Sequence, residues 1–258
     1  MILGKVKSIW LIINYKTLIV TALAVGSTYV CGVYGITADF PLTLIGIAIV
    51  FPVVFSIDSA YKRRERVLSY LADLKAHLKS IYLGARDWVR PENIELKEDI
   101  LSAIKQTYQA LEDYCTASKS ELDEKERDLY VSISNLSKVV QEFRKQDMYL
   151  GELSRLNQYI SKITVDVENI KAIRQYPTPV TLRAYSKVFI FSFPILYGPY
   201  FELIAETFSP GLEYMMPIVF SFILVSLDNI QEHLENPFDK IGEDDVHFDV
   251  DKFMSRLN

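Results

Sequence analysis

Two kinds of pattern divide the chain. Four windows, roughly residues 18–36, 40–57, 187–205 and 214–227, are almost free of charge and apolar on every side, each about 14 to 20 residues long. Between the second and third windows, residues 58–182 are polar, nearly without glycine or proline, and carry apolar residues at alternating steps of three and four. Leu101, Ile104, Tyr108, Leu111 and Cys115 form one stripe, and Leu129, Ile133, Leu136, Val140 and Phe143 a second. Leu153, Leu156, Ile160, Ile163, Val167 and Ile170 form a third. This spacing puts each set on one face of a helix that packs against other helices. No segment alternates with the period of a strand.

The windows predict an all-α membrane protein with four transmembrane helices in two pairs and a cytoplasmic helical bundle between the pairs. The second and fourth windows are short for a bilayer of about 30 Å, so those helices are expected to continue into polar sequence. Trp10, Tyr15, Tyr34, Tyr185, Tyr200 and Tyr214 stand near the window ends, where aromatic side chains favour the membrane interface. The short connectors ITADFP (36–41) and ETFSPGLE (206–213) hold no Lys or Arg. Lys5, Lys7 and Lys16 precede the first window, and Lys62, Arg63, Arg64 and Arg66 follow the second, which predicts both termini and the central region on the cytoplasmic side. Ala22 and Ala24 imitate a signal cleavage site, but the apolar run continues to Ile36 and predicts an uncleaved helix.

The divisions follow: 1–57 a first membrane pair, 58–182 the bundle, 183–230 a second pair, and 231–258 an acidic cytoplasmic segment. Within the bundle, Gly84 with Pro91 predicts a break, Ser120 followed by Asp123 an N-cap, and Gly151 another break. YPTP at Tyr176 to Pro179 stops the last bundle helix.

Composition adds the function classes to be set aside. Half of the 258 residues are hydrophobic and 24% are charged, too apolar for an ordinary soluble protein. The net charge of −5 is segregated: bases sit beside the membrane, where they meet anionic lipid, and acids gather toward the C-terminus. The run ELDEKERD (121–128) reads as a solvated helical face. Cys31 and Cys115, the two cysteines, predict no disulfide framework. His77, His233 and His247 lie far apart without the spacing of a zinc helix, and no Gly-rich phosphate loop is present. Neither an enzyme nor a nucleic-acid binder is expected. Asp39, Glu202, Glu206 and Glu213 fall near the outer connectors and Lys16 and Lys187 near the inner ends, which argues against a carrier with a charged site at mid-membrane.

The second window holds Ile47, Phe51 and Phe55 at steps of four, hence on one helical face, with Pro52 among them. Two readings are open. The side chains pack against neighbouring helices or lipid, or rings of them around a symmetry axis form a constriction that gates by dewetting, with Pro52 as a candidate hinge.

Two motifs carry a family resemblance along nearly the whole chain. FSIDSAYKR (55–63) resembles the Phe-Arg-x-Asn-x-Ala-Tyr-x-Arg of the bestrophins, pentameric ion channels. Phe55, Ala60, Tyr61 and Arg63 fit it; Ser56 stands for the usual Arg and Asp58 for the usual Asn. IQEHLENPFDKIGEDDVHFD (230–249) is similar to the acidic, Asn/Asp-Pro-Phe-Gly and Asn-Asp-Leu-Pro-Leu-Asp segment of prokaryotic members, with Asn236, Pro237 and Phe238 as the matching core and Asp239 in place of Gly. YPTPVTLRAY (176–185) also looks like the family's entry to the third span.

The resemblance implies a homopentamer that conducts inorganic ions passively, chloride above all, through a neck at Ile47, Phe51 and Phe55, in the bacterial inner membrane. It leaves a cation-selective channel as an alternative, and the sequence by itself also allows a non-conducting scaffold whose bundle binds a partner. Animal members bind Ca²⁺ through a denser acidic run. Here Val246 and His247 interrupt the acids Glu243, Asp244, Asp245 and Asp249, so no cofactor is expected and Ca²⁺ binding is not carried over.

Overall fold

The structure is a computed structural model that describes residues 14–89, 93–146, 148–207, 211–239 and 245–257. Lys5, Lys7, Trp10, Pro91, Glu243, Asp244 and the side chain of Glu206 lie outside the described residues. Every regular element among those described is helical, and the chain divides into two compact units.

The first unit takes Met1–Lys62, Pro177–Pro237 and Ile241–Asp245. Helix α1, Tyr15–Tyr34, opens on Asn14, whose side chain accepts from the backbone N–H of Lys16 at 2.9 Å while the Thr17 hydroxyl accepts from Asn14 in return. This reciprocal cap satisfies N–H groups that the first turn leaves without helical partners. The helix runs unbroken through Ala22 and Ala24 and ends at Gly35, whose φ of 61° is the left-handed conformation that glycine adopts without strain. Helix α2, Leu42–Asp87, is 46 residues long. Helices α6 (Val180–Leu196), α7 (Gly198–Thr207) and α8 (Leu212–Glu235) complete the unit. Its core joins Val20 of α1, Ile49 and Val53 of α2, Ile190 and Phe193 of α6, Phe201 of α7, and Leu224 and Val225 of α8. Gly198 lets α7 approach α1: a Cβ there would lie 2.6 Å from the Ser27 hydroxyl and 3.1 Å from the α1 backbone. That hydroxyl donates to the Ile195 carbonyl at 2.7 Å.

Two described helices, α1 and α8, are long and apolar enough to cross a membrane. The helical stretch Leu150–Leu196 with Gly198–Ile204 passes the same test as a pair, bent by 45°. The third apolar window is therefore two helices meeting at Tyr197, and the second is the opening part of α2, so two or three spans stand out rather than four.

The second unit takes Arg63–Tyr176, Phe238–Lys240 and Val246–Asn258. The remainder of α2 packs with α3 (Ile94–Thr116), α4 (Leu122–Glu142) and α5 (Leu150–Gln175), joined by a 3-10 turn at Phe143–Gln146, and with the short α9 (Val250–Ser255). All three predicted stripes face this core, with Leu101 and Ile160 at its margin. Leu71, Leu74, Leu78 and Ile81 supply the face of α2.

Three local expectations are corrected. The predicted break is present, between Asp87 and Ile94, but Gly84 itself lies inside α2: a Cβ there would sit 2.7 Å from Leu156, so the glycine serves close packing. Ser120 is not an N-cap: α4 starts after Glu121, whose carboxylate instead accepts from the Ser118 hydroxyl. Gly151 lies in the first turn of α5 rather than in the break before it. The YPTP stop separates α5 from α6 as the sequence reading has it.

The acidic C-terminal segment is not simply a solvated tail. Phe238, Val246, Phe248 and Val250 are buried in the bundle core, and the Tyr108 hydroxyl donates to the Phe248 carbonyl at 2.6 Å. Polar ties also lock α5 in place. Lys171 is almost fully buried yet bridges Glu126 at 2.7 Å and Glu168 at 3.2 Å. Burial alone would lower its pKa, but the hydrogen bonds it donates to Glu126, Tyr130 and Glu168 outweigh this and raise it.

His77 of α2 meets Asp166 of α5 at 2.8 Å. Burial lifts the Asp166 pKa above the ordinary carboxylate value despite the His77 contact. The native state therefore holds this proton more tightly than the unfolded chain. The stability it contributes is fully present below about pH 4, where the unfolded carboxyl titrates, and is lost as pH rises through the raised value. Asp166→Asn is expected to flatten that part of the thermal midpoint against pH; an unchanged slope would contradict the assignment.

Candidate pore-lining site

Helix α2 has two unlike faces within the first unit. Ile49, Val53, Ser56 and Ala60, at steps of three and four, are buried against the unit's other helices. Ile47, Phe51 and Phe55 point the other way and remain 49%, 55% and 59% exposed. The rings of Phe51 and Phe55 stand 6.0 Å apart, one turn above the other, and Val50 and Val54 widen the bare strip. Those two valines escape the sequence reading because a step of four from Ile47 passes over them. A row of bulky apolar side chains left this exposed among the described residues is a surface that another body must cover.

Pro52 lies inside the helix between the two phenylalanines. Lacking an N–H, it cannot donate to the Ala48 carbonyl, so one rung of the ladder is missing in the middle of the strip. On the opposite face the Ser56 hydroxyl is buried, and among the described residues nothing accepts from it or donates to it.

Past Phe55 the exposed strip changes character. Asp58 and Lys62 pair at 2.7 Å one turn apart, and Tyr61 remains half exposed. Arg64 meets Glu65 at 2.9 Å. The Arg63 guanidinium donates to the Ile173 carbonyl at 2.5 Å, so this motif residue closes the end of α5. The second motif sits at the other end of the sequence. Asn236 follows the last turn of α8, Pro237 is the residue that stops the helix, and Phe238 is buried with its ring stacked at 6.5 Å on Phe248.

Among the described residues no three His, Cys, Asp or Glu side chains gather where they could hold a metal ion. Asp245 is buried, Asp249 has a φ of 47°, and Asp251 reaches Lys105 at 3.3 Å.

Sequence reasoning missed a polar knot at the end of α8. Glu232 accepts Lys16 of α1 at 2.6 Å on one oxygen and Lys187 of α6 on the other. Asn14 donates to Asn229 at 2.8 Å, and Arg183 pairs with Glu235 at 2.9 Å. Asp228 is fully buried beside them. The signal was present as two acids four apart, Asp228 and Glu232, directly after an apolar window.

No protein-family profile matches the chain, and no curated protein matches it by sequence. Solved structures do. Two mutant forms of a bacterial bestrophin homologue from Klebsiella pneumoniae superpose with TM-scores of 0.78 and 0.77, each covering 94% of this chain and 97% of that one at 14% identity. A third crystal structure, of a protein described as a membrane protein, gives 0.75 over 95% of this chain and 98% of the other at 13% identity. The class defined by this architecture is an all-helical protein with helices long and apolar enough to cross a membrane. Its fold is that of the bacterial bestrophin homologues.

The buried, unpartnered Ser56 hydroxyl gives a direct check. Ser56→Ala removes a polar group with no hydrogen bond to lose, so the thermal midpoint should stay or rise, within about 0.5 kcal/mol of stability. A loss above about 1 kcal/mol would mean the hydroxyl has a partner.

Proposed function

We propose that this chain is a passive ion channel, not an enzyme, assembled as a homopentamer in the bacterial inner membrane with both termini cytoplasmic. Five copies of α2 surround the axis, and Ile47, Phe51 and Phe55 form the neck. The observation that carries this reading is the bare strip of α2: three bulky apolar side chains exposed on one face of a helix whose other face is fully packed. The likeness in fold to the bestrophin homologues supports it. In this reading four segments cross the bilayer, the second as the opening of α2 and the third through α6 and α7 with the bend between them, with lipid covering the outer faces.

A ring of phenylalanines excludes water when narrow and admits hydrated ions when widened. Pro52 supplies the place where α2 bends, because the missing hydrogen bond lowers the cost of bending there. Phe ring edges carry partial positive charge and favour anions such as chloride. Lys62, Arg63, Arg64 and Arg66 below the neck act in the same direction. Ser56 and Asp58 replace the Arg and Asn of the resembling motif, so the contacts beneath this neck are its own.

A cation-selective channel is the second reading, favoured by one observation. Asp58 and Glu65 each pair with a base of the exit, Lys62 and Arg64, and so reduce the positive potential that anions would meet. Reversal potentials of the purified protein in asymmetric NaCl decide between the two; a potential near that of chloride supports the anion reading, and one near that of sodium replaces it.

The neck is tested in planar bilayers. Burying a Phe ring is worth about 1.5–3 kcal/mol, so losing part of that in the closed state through Phe51→Ala or Phe55→Ala should raise the open-to-closed ratio about tenfold. Unchanged conductance and open probability in both variants would remove the neck assignment. Liposomes that stay ion-tight with wild-type protein would favour a scaffold instead.

A further inference from the structure

Asp228 is the least accounted-for group in the first unit. It sits on the buried face of α8 with no exposed surface, and among the described residues no donor reaches either carboxylate oxygen. Four residues on, Glu232 holds two ammonium groups at once, Lys16 from α1 and Lys187 from α6. Residues four apart share a helical face and lie about 6 Å apart along the axis. The same two lysines act electrostatically on Asp228. Two cations on long, flexible stems thus stand beside two carboxylates, and the more exposed carboxylate holds both.

A buried charge without a partner is costly, and breaking buried pairs costs more than never forming them. Among the described residues Asp228 nevertheless has no donor, while Asn14–Asn229 and Arg183–Glu235 bracket Glu232 and fix the present alignment of α1, α6 and α8. We propose that Asp228 and Glu232 are alternative acceptors for Lys16 and Lys187, giving these three helices two ion-pair registers one helical turn apart. In the register seen here the lysines sit on Glu232. In the other they reach one turn deeper, onto Asp228, and Glu232 is released. Packed interfaces favour discrete arrangements of this kind over a continuum, as in one-turn ratchets between helices. The cations and anions involved are Lys16 on α1, Lys187 and Arg183 on α6, and Asp228, Glu232 and Glu235 on α8.

The test is a double-mutant cycle on the full chain, read by thermal unfolding and therefore independent of whether the protein conducts ions. Asp228→Asn should hold the midpoint or raise it, by up to about 4 °C, because it removes an unpaired buried charge. Glu232→Gln should still fold, with Lys187 found on Asp228 in its structure, and the double variant should fall well below the sum of the two singles. If Glu232→Gln does not assemble, Glu232→Asp, which shortens the acceptor and keeps its charge, provides the same comparison. A lower midpoint for Asp228→Asn, additive effects, or Lys187 left in place at residue 232 would each overturn the proposal.

Discussion

The arrangement of the first unit depends on the two-sidedness of one helix. Along α2 the residues Ile49, Val53, Ser56 and Ala60 are buried, and the same spacing carries on through Val67, Leu71, Leu74 and Leu78. A single unbroken helix therefore supplies the packed face of both units. Because that face is spent on the chain's own core, the residues opposite it, Ile47, Phe51 and Phe55, remain about half exposed among the described residues. Water does not stabilise such a strip. Lipid or further copies of α2 must cover it, and this requirement leads from packing to the proposed pore.

The supports on either side are of different kinds. Around the opening part of α2 the core is aliphatic and aromatic, with Tyr197 beside both Phe193 and Phe201, and close backbone approach is secured at Gly198. In the bundle, polar ties do more of the work: Lys171 with Glu126 and Glu168, His77 with Asp166, and Tyr108 with the Phe248 carbonyl. The polar knot at Lys16, Lys187 and Glu232, with Asn14–Asn229 and Arg183–Glu235 beside it, joins three helices. Such pairs add little net stability. Asp228, whose oxygens no donor reaches among the described residues, stands out against them.

Much of this was legible in the chain. The three bundle stripes and the placing of Ile47, Phe51 and Phe55 on one face follow from periodicity, because helical spacing translates directly into faces, and the YPTP stop follows from its prolines. What periodicity could not reveal was set by tertiary contact. Gly84 reads as a breaker until Leu156 is seen against it, and Gly151 and Ser120 mislead because local propensity is weak beside packing. The bend at Tyr197 divides an apolar window that looks continuous. The acids of the C-terminal segment concealed Phe238, Val246 and Phe248, since single apolar residues between charges give no periodic signal. Whether Ile47, Phe51 and Phe55 face lipid or an axis is likewise invisible to spacing, because both environments accept the same side chains.

That last distinction is the most direct test of the account. Phe51→Cys places a thiol on the strip, while the native Cys31 and Cys115 are buried. In conducting bilayers, a membrane-impermeant, charged thiol reagent should modify this cysteine and change the current, because the strip faces a water-filled path. Modification only by a lipid-soluble reagent, with the current unaffected by the charged one, would place the strip against lipid and contradict the account.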